Sequence, residues 1–160
     1  MSDKRFFPLF IDLSDKNIVV VGGGTIATRR VKSLLAFTRN ITVIAPVISN
    51  ELQVFSMAGH IRLTPRQVKR SDLTNAFMVL AATNDWKLND AIYNICKEEG
   101  IFVNVVNDRD ECDFYFPGIC IQDSMVVGVT ASGEDHKRAK LLRIAIQKMM
   151  EQLPSTMEED

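Results

Sequence analysis

The sequence predicts an α/β chain in which a doubly wound parallel sheet is followed by a small hairpin-plus-helix segment. Three observations carry this. A near-continuous β-branched run, Asn17 to Val21, empties into Gly22-Gly23-Gly24, and the pattern then changes to helical period. Short apolar runs and helical segments go on alternating to about Asp110, the pattern of crossover-connected parallel strands. Beyond that point two strands flank Gln122-Asp123-Ser124 and a single helix closes the chain.

In order along the chain, Asn17 to Val21 is a strand buried on both faces. From Thr25 a helix places Ile26, Ala27, Val31, Leu34 and Leu35 on one side and Arg29, Arg30 and Lys32 off it. Ile41 to Ala45 is the second strand, closed by Pro46. Asn50 to Ala58 has helical composition and stops at Gly59. Ile61 to Thr64 is a short strand, and Phe77 to Ala82 a longer central one ending at Thr83-Asn84-Asp85. Trp86 to Glu99 is a helix with Leu88, Ala91, Ile92 and Ile95 on one face, stopped by Gly100, and Ile101 to Val106 is the next buried strand. Phe114 to Ile121 and Met125 to Ala131 form the hairpin. The last helix, Glu134 to Leu153, spaces Leu142, Ile146, Met149 and Leu153 as a narrow seam suited to a partner helix. The expected organisation is 1–112 as a nucleotide-binding domain, 113–153 as a dimerisation segment and 154–160 as a frayed tail. A hairpin plus one helix is too small to bury its own apolar face, so a second copy covers it, or it folds back on its own sheet as an edge.

The 160 residues amount to about one domain. Nineteen Lys and Arg against 20 Asp and Glu leave no basic field for a nucleic-acid backbone. The three cysteines, Cys96, Cys112 and Cys120, lack the spacing of a zinc site, so no metal is expected and they read as reduced thiols. No apolar run reaches the roughly 18 residues of a membrane span, and no signal-peptide core follows Met1. The expectation is a cytoplasmic protein with neither nucleic-acid nor membrane partners.

Gly22-Gly23-Gly24-Thr25-Ile26-Ala27 matches GxGxxA between a strand and a helix, the fingerprint of a Rossmann-like turn. Gly22 makes the tight turn, Gly24 lets a pyrophosphate approach, and Ala27 allows close helix–strand packing. The backbone of Thr25 and Ile26 opens the helix whose N-terminus faces the phosphates. The alternative is glycines that only turn the chain. The acid that usually grips a ribose, about 20 residues on, is missing. The strand runs into Pro46 and Val47, with no Asp or Glu before Glu51, so ribose contacts fall to backbone and small side chains. No basic residue offers itself for a 2′-phosphate, which favours NAD over NADP; an adenosyl cofactor or no dinucleotide are the alternatives. Thr83, Asn84 and Asn104 should reach the carboxyl edge and touch cofactor, or Asn84 caps the following helix.

Six ordered motifs carry a resemblance over essentially the whole chain. Phe7-Pro8-Leu9-Phe10 precedes the glycine turn, Arg29-Arg30 and Thr42-Val43-Ile44-Ala45-Pro46 follow it, and Ala81-Ala82-Thr83-Asn84-Asp85, Asn104-Val105-Val106 and Asp113-Phe114-Tyr115-Phe116-Pro117 come next in register. Together they resemble precorrin-2 dehydrogenase, the dehydrogenase module of siroheme synthase. That resemblance implies an NAD-dependent oxidation of precorrin-2 to sirohydrochlorin, and a homodimer built from the segment after the nucleotide-binding domain. Some members of the family also insert ferrous iron.

Three departures qualify the resemblance. The family's Asn-Val-Val run is commonly followed by an aspartate important for catalysis, but here Asn107 holds the place and Asp108 comes next. A neutral amide cannot accept a proton as a carboxylate does. Asp108 substitutes for it, or is a solvated loop residue. The family's serine- and glycine-rich stretch appears as Thr130 to His136, with Ala131 at one expected serine; His136 is a tetrapyrrole contact, a metal-adjacent base or an exposed histidine. The chain also ends near where members usually continue into a small helical domain. The competing functions are a non-catalytic dinucleotide-binding or partner module of tetrapyrrole biosynthesis and, below it, a sirohydrochlorin ferrochelatase.

Overall fold

A computed structural model describes residues 6–108, 110–132 and 134–153. The expected frayed tail, 154–160, lies outside them. Two compact units emerge, one over Ile11–Phe114 and one that joins residues 6–10 to Tyr115 and the described residues after it. The division falls after Phe114, and the Phe7-Pro8-Leu9-Phe10 motif belongs with the later segment.

The larger unit is a five-stranded parallel sheet, Rossmann-like, in the order β3-β2-β1-β4-β5. Its strands are β1 (Ile18–Val21), β2 (Ile41–Ile44), β3 (Arg62–Thr64), β4 (Met78–Ala81) and β5 (Phe102–Val105). Register runs straight across it: Val20 lies beside Val43 and Leu80, and Leu80 beside Asn104. On one face Val19, Val21, Val79, Ala81, Val103 and Val105 pack with Ile92 and Cys96 of α3 (Trp86–Glu99). The alternate residues Ile18, Val20, Val43 and Leu80 are equally buried, as are Ala27, Val31 and Leu34 of α1 (Thr25–Leu34). Burial on both faces is why β1 and β4 read as unbroken apolar runs. The helix α2 (Asn50–Met57) follows β2, whereas β3 and β4 are joined by a single 3-10 turn at Arg70–Asp72. The strand expected to start at Ile61 starts at Arg62, and α3 ends as expected at Gly100, which adopts φ 67°.

In the smaller unit, β6 (Gly118–Gln122) and β7 (Met125–Val129) pair antiparallel through a two-residue turn in which Asp123 takes φ 52°. The strand expected from Phe114 begins instead at Gly118, because Pro117 has no N–H to pair. Upstream, the backbone N–H of Asp113 is bonded to Val103 O. Likewise the last helix, expected from Glu134, starts at His136 as α4 (His136–Met150), because the Asp135 carboxylate caps it by accepting from the Arg138 N–H at 2.8 Å. Phe6 packs edge-on to Tyr115 with ring centroids 4.3 Å apart. The predicted seam faces outward: Leu142 and Met149 are 53% and 59% exposed, whereas Met150 beside them is buried.

Candidate functional site

All the turns that follow the strands of a parallel sheet lie at one edge, so the ends of β1, β2, β4 and β5 assemble a single rim. The β1–α1 turn is shaped by contact with its neighbours. Gly22 has φ +125°, and a Cβ there would lie 2.2 Å from Ala82 O. A Cβ on Gly23 would lie 2.1 Å from Val47 O, so the middle glycine, which the fingerprint leaves open, is needed for the β2 loop to close over it. That loop is tied down by the Ser49 N–H donating to Gly23 O at 2.9 Å. Gly24 is the opposite case, with nothing within 4 Å of where its Cβ would be. Space therefore opens in front of the α1 N-terminus, which has no side-chain cap and no acid in its first turn. The backbone of Thr25 and Ile26 faces that space uncapped, and Ala27 is fully buried against the sheet. An anionic pyrophosphate fits such a turn in charge and in room.

Thr28 and Ser49 lock the two loops together. The Thr28 hydroxyl gives its proton to Gly24 O at 2.9 Å, so across their 2.8 Å contact Ser49 is the donor. Sequence reasoning missed this pair, which carries no motif of its own.

Pro46 and Val47 are exposed at the end of β2. The first carboxylate after them, Glu51, pairs with Lys32 at 2.6 Å. Beyond the end of β3, Arg66 is held bidentate by Asp72, both contacts at 2.7 Å. The Arg66 guanidinium, and to a lesser extent the Lys69 N–H, hold the Asp72 carboxyl down at about 2.

At the end of β4 the structure separates Thr83 from Asn84. Asn84 is exposed and does not cap α3; Asp85 does, its carboxylate accepting from the N–H groups of Lys87 and Leu88. Thr83 is bound on three sides by Asn89, a fully buried residue that also reaches Asn107. The signal for Asn89 was a polar residue three before Ile92 on the buried stripe of α3.

At the end of β5, Asn104 is 4% exposed and turned inward. Its Nδ2 donates to Phe114 O at 2.9 Å and to Cys112 Sγ at 3.3 Å, while its Oδ1 is buried with no protein partner. Asp108 Oδ1 accepts from the N–H groups of Asp110 and Glu111, folding its own loop. Burial, then the charges of Asp108 and Asp90 and a hydrogen bond to Asp90, raise the Glu111 carboxyl above its ordinary value. Asp113, the first residue of the Asp113–Pro117 motif, pairs alongside β5: its Oδ2 accepts from the Val103 N–H at 3.1 Å and its Oδ1 from Lys97 at 2.7 Å. Burial raises the Cys112 thiol as well.

In the smaller unit a pocket of about 210 Å³ is lined by Tyr115, Thr130, His136, Lys140 and Arg143 among others, so His136 borders a cavity with two cations. No group of metal-ligating side chains occurs among the described residues, nor any helix long and apolar enough to cross a membrane.

Residues 9–118 match the family described as "Putative NAD(P)-binding". The chain belongs to that NAD(P)-binding family. It is 44% identical over 89% of its length to the "Probable multifunctional siroheme biosynthesis protein HemA" of Ruminiclostridium josui. It is 33% identical over 92% to a siroheme synthase of Actinobacillus succinogenes. It spans only 28% and 31% of those relatives. Among solved structures, "SirC, precorrin-2 dehydrogenase" matches 90% of this chain and 70% of its own, at TM-score 0.77 and 27% identity. The resemblance read from the six motifs and the Rossmann-like architecture are both borne out, and a dinucleotide cofactor accords with the open turn at Gly24.

Proposed function

We propose that this chain is a precorrin-2 dehydrogenase module that oxidises precorrin-2 to sirohydrochlorin with NAD. The observation that carries the reading is the uncapped α1 N-terminus behind the open Gly24 turn, in a chain that matches a precorrin-2 dehydrogenase over 90% of its length. In the turn that Gly22 shapes and Ala27 packs against the sheet, Gly24, Thr25 and Ile26 would hold the pyrophosphate, and Pro46 and Val47 the adenosine ribose. Thr83, Asn84 and Asn104 complete the proposed cofactor contacts, with the orphaned Asn104 Oδ1 the atom most in need of a donor. NAD is favoured over NADP because Arg66, beyond the end of the neighbouring strand β3, is already engaged by Asp72 and offers no free cation to a 2′-phosphate.

When bound, the nicotinamide supplies the acceptor for a hydride leaving a ring carbon of the tetrapyrrole. The protein orients the two and receives the proton lost alongside. In this reading Asp108 takes that proton through Oδ2, since Oδ1 is occupied by its own loop, and Asn107 contacts the substrate. Within the smaller unit, the 210 Å³ pocket carries Lys140 and Arg143 on its lining and suits an anionic ligand. We also assign the outward Leu142 and Met149 stripe to a homodimer interface, since exposed apolar side chains in a seam mark an association surface. The setting is cytoplasmic, in keeping with three free thiols.

The test is anaerobic spectrophotometry of precorrin-2 with NAD, and then NADP, against an enzyme-free control. Sirohydrochlorin formed faster with NAD is expected. Dinucleotide binding without turnover would reject the dehydrogenase and leave a binding module of the same pathway.

A further inference from the structure

Asn89 is fully buried on α3, in line with Ile92 and Cys96. A buried primary amide must place two N–H groups and an oxygen. Thr83 decides which end is which. Its backbone N–H, which only donates, lies 3.3 Å from Asn89 Oδ1, and its backbone carbonyl, which only accepts, lies 3.1 Å from Nδ2. Reversing the amide would set donor against donor and acceptor against acceptor, so the orientation follows from the main chain. The Thr83 hydroxyl adds a 2.7 Å bond to Oδ1. Asn89 has one N–H left, and it meets Asn107 Oδ1 at 2.5 Å. Asn107 therefore turns its oxygen inward and its NH2 away from α3, at an exposed position just past β5.

The geometry points to Asn89 as a positioning residue that sets the polarity of Asn107. At the carboxyl edge Asn107 presents a hydrogen-bond donor, not an acceptor. Its partner is a lone pair on the substrate, a ring nitrogen or a carboxylate oxygen of the tetrapyrrole. Asn107 holds the substrate and takes no proton. The same three bonds to Thr83 fix the β4–α3 turn, so one buried side chain ties together the loops after β4 and β5. The nature of the substrate rests on the dehydrogenase reading above; the amide polarity does not.

The experiment is side-chain amide hydrogen exchange by NMR on the full chain, with turnover measured in parallel. In the unaltered protein the Asn89 NH2 is expected to exchange about 100-fold more slowly than a free amide, and the Asn107 NH2 within about tenfold of one. Asn89→Asp, measured above the pH at which its buried carboxyl ionises, keeps the acceptor for the Thr83 N–H and hydroxyl but donates nothing. Asn107 must then turn its NH2 inward, and its exchange slows about tenfold. The same variant lowers kcat for precorrin-2 by about 10- to 100-fold. Asn107→Asp, made with Asn89 in place, gives a carboxylate that receives the Asn89 N–H, so it titrates below about 3.9. Three results would overturn the polarity: a protected Asn107 amide in the unaltered protein, an Asn107 amide indifferent to Asn89→Asp, or a carboxyl in the Asn107→Asp variant that titrates at or above about 3.9. An unchanged kcat in Asn89→Asp would overturn the positioning role. Absence of turnover in the unaltered protein would instead refute the dehydrogenase reading, and the exchange rates would still decide the polarity.

Discussion

Gly24→Ala separates binding from folding at the glycine turn. The new Cβ meets no atom within 4 Å, and the residue sits at φ −89°, which alanine adopts freely. The only folding cost is that of a poorer N-cap, about 0.5–1 kcal/mol, or about 2–3 °C in Tm for a chain of this size. The methyl group, however, occupies the approach to the uncapped N–H groups of α1. Losing one charge-assisted bond to a phosphate costs about 1.5–3 kcal/mol, so Kd for the dinucleotide should rise by about 10- to 150-fold. Gly22→Ala is the control with the opposite balance. It places Cβ 2.2 Å from Ala82 O at φ +125°, so the backbone must shift, and a loss above about 3 kcal/mol lowers Tm by about 10 °C. Calorimetric titration with NAD and thermal melts of both variants measure the two effects. Unchanged affinity in Gly24→Ala would refute the assignment of the open space to pyrophosphate.

Asp113→Ala strands the Val103 N–H and frees Lys97, and should cost about 1–3 kcal/mol in denaturant unfolding. Since the folded Asp72 carboxyl lies at about 2, below its unfolded value, its contribution to stability is complete above about 4 and disappears as pH falls toward 2. Melts of Asp72→Asn across that range should be flatter than those of the parent. Burial, and then the charge of Asp113, raise the Cys96 thiol to about 11, so this contribution is present below about 9 and is lost as pH rises toward 11. At pH 8 Cys96 should resist alkylation until the chain unfolds, as mass spectrometry of modified peptides would show. Leu142→Glu should convert the proposed dimer to monomer in sedimentation while leaving the helical signal in place; a dimer that persists would remove the seam from the interface.

Much of the fold was legible because hydrophobic period and punctuation report local structure directly. Val19, Val20 and Val21 without a polar break announce a strand buried on both sides. The helix from Asn50 stops just before Gly59, and the one from Trp86 stops at Gly100. The ends of elements were less legible. Pro117 is the local signal that delays the hairpin strand to Gly118, but nothing local says that Asp113 just upstream is engaged by Val103. The site divides in the same way. The glycine fingerprint placed the open turn correctly on the chain, because that turn is built from consecutive residues. Gly23 was passed over because the group it makes room for, Val47 O, comes from the next loop.

By itself, the sequence determined the class of fold, the alternation of strands and helices, and the position of the glycine turn, all consequences of period and of residues near one another in the chain. Only the tertiary structure decided the rest. It turned Asn104 inward, gave the α3 cap to Asp85 rather than Asn84, and brought Asn89 between Thr83 and Asn107. A buried amide takes its orientation from backbone donors and acceptors that meet it in space, and those partners leave no trace in the spacing of residues along the chain.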